Sequence, residues 1–159
     1  MATVYLSLGA NEGNRKQTMK YAAELLAKQA GTITAFSSFI ETAPWGFESN
    51  YPFLNAALCI ETDLPPLQLL DLALSIEKEL GRKKKADHTY HDRPIDIDIL
   101  MYDDRILTTP QLVLPHPLMD KRDFVLKPLA EIAPWTIHPV KKKTITTLLN
   151  ELKEKENGK

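Results

Sequence analysis

Two spacings of hydrophobic residues alternate along this chain, and together they predict a mixed fold of strands and helices. Short β-rich runs with a period of two predict four strands, at residues 4–8, 33–41, 53–62 and 94–102. Apolar residues spaced three and four apart predict helices from Asn14 to Gly31, from Pro65 to Gly81, and over residues 124–132 and 144–152. Asn14 and Gln17 can cap the first helix reciprocally, while the two glycines are expected to end the first two helices.

The order of these elements predicts the fold class. A β-α-β-β-α-β succession is typical of the ferredoxin-like α+β fold, in which helices pack on one face of an antiparallel sheet. Additional C-terminal strands and helices follow. We therefore expect a single domain over residues 1–159, with a frayed polar tail at residues 153–159. This fold supports many functions, so it does not identify the chemistry.

Composition excludes several classes of protein. Of the 159 residues, 43% are hydrophobic and 26% charged, as in an ordinary globular domain, and the net charge of −1 argues against a strongly basic nucleic-acid binder. The single cysteine, Cys59, cannot form an intrachain disulfide. No apolar run approaches the roughly 18 residues of a membrane span. We expect a cytoplasmic protein that binds neither membrane nor nucleic acid.

The most informative stretch is Arg93-Pro-Ile-Asp-Ile-Asp-Ile-Leu100. Strand alternation places its three isoleucines in the core and puts Asp96 and Asp98 on the other face, roughly 6–7 Å apart. Two carboxylates at this spacing can bind Mg²⁺, which commonly takes one or two carboxylates plus substrate phosphates. Two alternatives are a solvated sheet face and a dry carboxylate dyad that performs acid–base chemistry.

Cations precede this strand. The polar segment over residues 82–92 carries several cations. It begins with Arg82, and Arg93 follows it directly. Arginine makes bidentate hydrogen bonds to phosphate, although a run of charge is more often a solvated surface. The sequence lacks a glycine-rich phosphate-binding loop, so side chains and metal would have to hold any nucleotide phosphates.

Three further residues suit a small-molecule site. His116 lies between two prolines and can either donate to a phosphate or belong to a structural turn. Phe53 and Asn55 point to one face of a predicted strand. They can stack on and hydrogen-bond a heterocycle, or serve as a core aromatic and an edge amide.

Taken together, these motifs resemble the 6-hydroxymethyl-7,8-dihydropterin pyrophosphokinases of folate biosynthesis. The similarity runs from Val4 to about Pro139. Its motifs are Leu8-Gly-Ala-Asn11, Ser37-Ser38, Thr42-x-Pro44-x-Gly46, Phe53-Leu-Asn-Ala-Ala57, Ile76-Glu77 through Gly81-Arg82, the aspartate strand, Pro115-His116 and Arg122-Asp-Phe-Val-Leu-x-Pro-Leu-x-Glu-Ile-Ala-Pro134. The chain departs from the family at His88-Thr-Tyr-His-Asp-Arg93, where the family often has Arg-Trp-Gly-Pro-Arg.

The resemblance implies an enzyme that uses ATP as co-substrate and two Mg²⁺ ions held by Asp96 and Asp98, and that acts as a monomer without an obligate protein partner. The implied catalytic residues are Arg82, Arg93, Asp96 and Asp98. The implied pterin-binding residues are Thr42, Pro44, Trp45, Gly46, Phe53, Asn55 and Phe124. The implied ATP-binding residues are Glu77, Arg82, Arg93, His116 and Arg122.

Two other functions compete with the pyrophosphokinase interpretation of the sequence. A nucleic-acid-binding module would need an aromatic-rich strand for base stacking, which none of the predicted strands provides. A metal-dependent nuclease or nucleotidyltransferase could use the same aspartates. Product analysis distinguishes the three, because only the pyrophosphokinase releases AMP in a pterin-dependent reaction.

Overall fold

The computed structural model describes residues 1–42, 52–81 and 94–157. Its strands are β1 (Ala2–Ala10), β2 (Gly31–Phe36), β3 (Ile40–Thr42), β4 (Phe53–Thr62), β5 (Asp96–Tyr102), β6 (Leu107–Thr108) and β7 (Val113–Leu114). Its helices are α1 (Arg15–Gln29), α2 (Pro66–Glu79), α3 (Asp123–Ile132) and α4 (Ile145–Asn157), with a short 3₁₀ helix at Met119–Lys121. The strand predicted at residues 53–62 is confirmed at both ends, whereas the one predicted at 33–41 is divided into β2 and β3.

The main sheet is antiparallel and has the predicted ferredoxin-like order. The strands lie in the order β2-β4-β1-β5, and β3 pairs with β4 beyond the end of β2. The two central strands are therefore β1 and β4. Strands β6 and β7 form a separate two-stranded sheet. The α+β class is confirmed.

Helices cover both faces of the sheet: the two helices of the ferredoxin-like core share one face, as expected, and the additional C-terminal helices lie on the other. Helices α1 and α2 pack on the side chains of Val4, Leu6 and Leu8 from β1. Helices α3 and α4 cover part of the opposite face, against Ala57 and Met101. The apolar run in β4 carries the physical reason, because residues 54–60 are all buried, as expected of a strand covered on both sides.

The predicted start of α1 is confirmed, whereas the glycine predicted to end this helix has another role. The Asn14 side chain accepts a hydrogen bond from the Gln17 backbone N–H at 3.2 Å, so the predicted cap is confirmed. Gly31 does not end the helix, since α1 ends at Gln29 and Gly31 is the first residue of β2. A Cβ atom at Gly31 would lie 1.9 Å from the Glu61 carbonyl oxygen. Glycine is required here for close approach of two backbones rather than for a helix end.

The C-terminal helix is longer than predicted. Helix α4 extends beyond Leu152 to Asn157, into the segment for which we expected fraying. Lys143 and Glu151 form an ion pair at 2.7 Å beside this helix. Across the three described ranges, no helix is long and apolar enough to cross a membrane.

The close approach at Gly31 yields a stability prediction. Gly31→Ala should lower the free energy of unfolding by about 3 kcal/mol, because the new methyl group meets backbone atoms that cannot rotate away. Gly13→Ala is the matched control. Gly13 has a φ of +62° and open space around it, so only about 1 kcal/mol of backbone strain is expected. Urea denaturation measures both, and an equal loss in the two variants would contradict the packing argument.

Candidate active site

A polar row crosses the sheet on the face opposite α1 and α2. Gly9 in β1 pairs with Asn55 of β4 on one side and with Asp96 of β5 on the other. Two residues back along β1, on the same face, Ser7 pairs with Asp98. The register of the central strand therefore brings residues more than 40 positions apart in sequence into one surface. Asn55 is 3% exposed and Ser7 8% exposed, so this surface is largely enclosed.

Gly9 keeps the middle of this row open. A Cβ atom at position 9 would lie 3.3 Å from the Asn55 side-chain Oδ1 and 3.7 Å from Phe53 Cδ1. Both side chains thus face the space directly above the glycine. A larger side chain would fill that space and push against the amide.

Three of the residues expected to bind the pterin ring lie side by side at one end of the row. Thr42 of β3 pairs with Phe53 of β4, and the Asn55 side-chain Nδ2 donates a hydrogen bond to Thr42 Oγ1 at 2.8 Å. The amide is thereby oriented with Nδ2 toward Thr42 and Oδ1 toward Gly9. This arrangement offers a ring beside an oriented acceptor.

The two aspartates share a face as their alternation predicts. Ile97 and Ile99 are 5% and 3% exposed and belong to the core beneath α1 and α2. Asp96 and Asp98 are half-buried on the opposite face. No cluster of three or more potential metal ligands occurs among residues 1–42, 52–81 and 94–157. The pair suits Mg²⁺, which binds one or two carboxylates and takes its remaining ligands from phosphate and water.

Glu77 supports this strand from the α2 side. It is 3% exposed, and its Oε2 accepts a hydrogen bond from the Ile97 backbone N–H at 2.7 Å. Ile97 lies between the two aspartates on β5, the outermost strand of the main sheet on this side. The contact therefore fixes the backbone that carries both carboxylates. The sequence-based assignment of Glu77 to ATP binding stays a prediction.

His116 is held beside the same strand. Its backbone N–H donates to the Leu100 carbonyl at 2.8 Å, and its Nδ1 accepts from the Leu118 backbone N–H at 3.1 Å. With Nδ1 as an acceptor, the neutral ring carries its proton on Nε2. Burial first and the Arg122 guanidinium second, opposed by the Asp96 carboxylate, together lower the pKa of His116 from 6.5 to about 4. At neutral pH the ring is an uncharged donor through Nε2.

Arg122 and Phe124 lie at the start of α3. Arg122 is 8% exposed, and its guanidinium carbon lies 5.7 Å from the centre of the Phe124 ring. That distance is within the range of a cation–π interaction. The Arg122 guanidinium also contributes to the lowered pKa of His116. A cation and an aromatic ring thus lie together at the start of α3.

Five of the predicted site residues lie outside the described part of the chain. These are Pro44, Trp45, Gly46, Arg82 and Arg93. Their roles stay predictions from the sequence. The described residues that come together are Thr42, Phe53, Asn55, Asp96, Asp98, His116, Arg122 and Phe124.

Sequence reasoning missed the middle of the row and the region beside it. Neither Ser7 nor Gly9 was selected as a site residue, although Gly9 belongs to the Leu8-Gly-Ala-Asn11 motif and a glycine in a strand can signal close approach of another group. Beyond β1, a cleft of about 500 Å³ is lined by Asn11, Glu12, Gly13, Arg15 and Pro52. Asn11 is 2% exposed, and its position in a connection gave no sign of this burial in the sequence.

The environment of His116 predicts its titration in the ligand-free, metal-free protein. The folded-state pKa of about 4 lies below the ordinary value of 6.5, so the unfolded chain binds more protons between these pH values. His116 should therefore destabilise the fold as the pH falls from 6.5 to 4 and have no effect above that window. Long-range ¹H–¹⁵N NMR should show a neutral ring at pH 5.5, protonated on Nε2.

The neighbouring charges supply the controls. Arg122→Met should raise the pKa of His116, and Asp96→Asn should lower it. The pKa of His138 is also lowered by burial, but its charged neighbours are Asp120 and Lys141, so it should not respond to either change. Titration of His116 near 6.5 would contradict the burial and charge assignment.

Comparison with known proteins places this geometry in a family. Residues 5–134 match the family described as 7,8-dihydro-6-hydroxymethylpterin-pyrophosphokinase (HPPK). The 2-amino-4-hydroxy-6-hydroxymethyldihydropteridine pyrophosphokinase of Porphyromonas gingivalis is 49% identical over 141 residues, which are 87% of this chain and 95% of that protein. The corresponding protein of Aquifex aeolicus is 43% identical over 145 residues, 91% of this chain and 89% of the other.

A solved structure shows the same fold. The crystal structure of an HPPK-DHPS in complex with substrates superposes with a TM-score of 0.79 at 16% identity, over 99% of this chain. This chain spans 44% of the length of that protein, and the likeness shows the fold alone. The family match and the two bacterial relatives together show that this chain belongs to the 7,8-dihydro-6-hydroxymethylpterin-pyrophosphokinase family.

Proposed function

We propose that this chain transfers the pyrophosphoryl group of ATP to the hydroxymethyl group of 6-hydroxymethyl-7,8-dihydropterin and releases AMP. A pyrophosphokinase activity in folate biosynthesis is the activity of its family. The observation that carries the proposal is the row Asn55–Gly9–Asp96 across three adjacent strands. Strands lie about 4.8 Å apart, so the Cα atoms of Asn55 and Asp96 are about 10 Å apart, with Gly9 between them. That separation suits a two-ring heterocycle on one side and a phosphate chain on the other.

The ring-binding end is built for a flat molecule with N–H donors along one edge. Asn55 Oδ1 faces the space above Gly9, where it can accept from such a donor. Phe53 borders the same space, and Phe124, near the start of α3, is expected to stack on the opposite face of the ring. Stacking between aromatic rings adds about 0.5–1.5 kcal/mol per pair beyond the burial of their area. Pro44, Trp45 and Gly46 are expected to complete this end.

The phosphate end combines the carboxylate pair with cations and a neutral donor. Asp96 and Asp98 would hold two Mg²⁺ ions, which supply positive charge to the polyphosphate of ATP when bound. His116 offers an Nε2–H that needs no protonation to donate. Arg122 contributes a fixed positive charge next to it. Arg82 and Arg93 are expected to contact the polyphosphate from the segment before β5.

The reaction requires positioning and charge neutralisation more than an activated side chain. The hydroxymethyl oxygen attacks the β-phosphorus, the bond from that phosphorus to the α,β-bridging oxygen breaks, and AMP leaves while the hydroxyl proton passes to solvent. Asn55 and the two aromatic rings would align the hydroxymethyl group, while His116 and Arg122 would hold the phosphates in line. Holding two reactants in reactive geometry can supply roughly 7–11 kcal/mol of the barrier. The expectations of a cytoplasmic monomer without an obligate partner stay predictions.

The direct test is product analysis. With ATP, Mg²⁺ and hydroxymethyldihydropterin, AMP and the pterin pyrophosphate should appear in a one-to-one ratio by liquid chromatography. A 6-methyl analogue, which lacks the hydroxyl, should give no AMP. Release of ADP, or of AMP at the same rate without the pterin, would show that the chain catalyses a different transfer.

The carboxylates should be essential to this reaction and dispensable for the fold. Asp96→Ala and Asp98→Ala should each lower kcat at least about a hundredfold, because each removes a ligand to the Mg²⁺ whose positive charge would balance the polyphosphate. Both side chains lie on the non-core face, so the melting temperature should change little. Asp71→Ala, an exposed aspartate on α2, is the matched control. Near-wild-type turnover of either site variant at an ordinary Mg²⁺ concentration would contradict the assignment of the metal site.

A further inference from the structure

One arginine at the start of α1 joins three elements. The Nη1 atom of Arg15 donates to the Pro52 carbonyl oxygen at 2.9 Å, and its Nη2 donates to Glu41 Oε1 at 2.6 Å. Glu41 belongs to β3, and Pro52 immediately precedes β4. A single planar guanidinium therefore spans the two strands at the end of their ladder.

This end of the ladder carries the ring-binding residues. The β3–β4 register ends at the pair Thr42 and Phe53, the direct neighbours of Glu41 and Pro52. Thr42 in turn accepts the hydrogen bond that orients the Asn55 amide. A shift of either strand end would move the hydroxyl, the ring and the amide relative to one another.

Strand β3 needs an anchor of this kind. It has three residues, and three residue pairs connect it to β4. Strands this short are at the lower limit of what a ladder stabilises. The fork of an arginine makes two hydrogen bonds in fixed relative directions, so it holds two groups at a set separation, which a lysine cannot do.

The contact is better suited to positioning than to global stability. The Arg15 side chain is 28% exposed and that of Glu41 56% exposed. Ion pairs at such exposure add little to the free energy of unfolding. Their geometric effect persists, because each hydrogen bond restrains the direction as well as the distance of its partner.

We propose that Arg15 is a positioning residue for pterin recognition, which acts by holding Glu41 and Pro52 so that Thr42 and Phe53 keep their places beside Asn55. This inference rests on the proposed function, since it assigns the ring-binding end to the pterin. Arg15 itself is not placed in contact with either substrate. Its effect should therefore fall on one substrate and spare the other.

The experiment compares pterin and ATP binding in variants of the full chain. Arg15→Met should raise the KM and Kd for hydroxymethyldihydropterin about tenfold, with kcat and the Kd for a non-hydrolysable ATP analogue within about twofold of wild type. Arg15→Lys should recover part of the loss, because an ammonium group can make one of the two bonds in place. Lys20→Met removes the same charge from an exposed position of the same helix and should change neither constant.

A double-mutant cycle tests whether the ion pair is the route. Glu41→Gln should raise the pterin Kd less than Arg15→Met, since a neutral amide still accepts a hydrogen bond. Adding Glu41→Gln to Arg15→Met should then cost little more than Arg15→Met alone. Additive losses would overturn the coupling through Glu41. A wild-type pterin Kd in Arg15→Met, or equal losses for pterin and ATP, would overturn the positioning role.

A failure of the proposed function can be distinguished from a failure of this inference. If the wild-type protein forms no AMP with the pterin, the proposed function is wrong whatever the variants do. The restraint that Arg15 places on Glu41 and Pro52 can still be tested in the ligand-free protein by amide hydrogen exchange. Exchange at residues 40–42 and 53–55 should accelerate in Arg15→Met and stay at the wild-type rate in Lys20→Met. Unchanged exchange in both variants would overturn the structural basis of the inference.

Discussion

The register of β1 against its two neighbours determines which side chains meet at the active site. Because strand side chains alternate, a slip of one residue would turn Asp96 and Asp98 into the core and expose Ile97 and Ile99. The buried positions of β1 prevent such a slip, since Val4, Leu6 and Leu8 are fully enclosed beneath the first two helices. The same alternation leaves Ser7 and Gly9 on the functional face.

An irregularity in the pairing of β1 with β5 divides that face into a polar part and an apolar part. The register between β1 and β5 shifts between Tyr5 and Leu6, so that Leu100 and Met101 both join the core beneath α3 and α4. Before the shift the same face carries the two aspartates. A regular ladder would have continued one alternation along the whole strand. The bulge therefore separates a polar half, which can bind ligand, from an apolar half, which can support the helix that carries Phe124.

Local patterns predicted single elements well and long-range relations poorly. The alternation of residues 95–99 correctly placed the carboxylates opposite the core, because it depends on one strand alone. Gly31 was misread as a helix end because the nearby Glu61 carbonyl belongs to another strand, and no local signal distinguishes the two causes. The break between β2 and β3 was missed for a similar reason. The Ser37 hydroxyl oxygen there accepts from the Ala57 backbone N–H at 2.8 Å, which replaces a ladder bond.

The same limitation hid the supports of the candidate site. The row through Gly9 requires knowledge of which strands are neighbours, which spacing within a strand cannot supply. The role of Glu77 at β5 depends on the packing of α2 against a strand 20 residues away. Residues that touch a ligand carry chemical signatures in sequence, such as paired aspartates or a phenylalanine near an asparagine. Residues that hold those groups in place carry none, because their partners lie in other elements, far away in the sequence.

Short strand β3 shows how such supports combine. Arg15 of α1 contacts it through Glu41. The segment just before it is held by α3, because Glu131 accepts hydrogen bonds from the Ser38 backbone N–H at 3.0 Å and the Ser38 hydroxyl at 2.7 Å. Helices α1 and α3 lie on opposite faces of the sheet, so the strand that presents Thr42 is restrained from both sides. Since α3 also carries Phe124, the Glu131 contact links the helix bearing one ring-binding group to the strand bearing another. The precision of the ring-binding end therefore arises from polar contacts between elements, while the core beneath it supplies the stability.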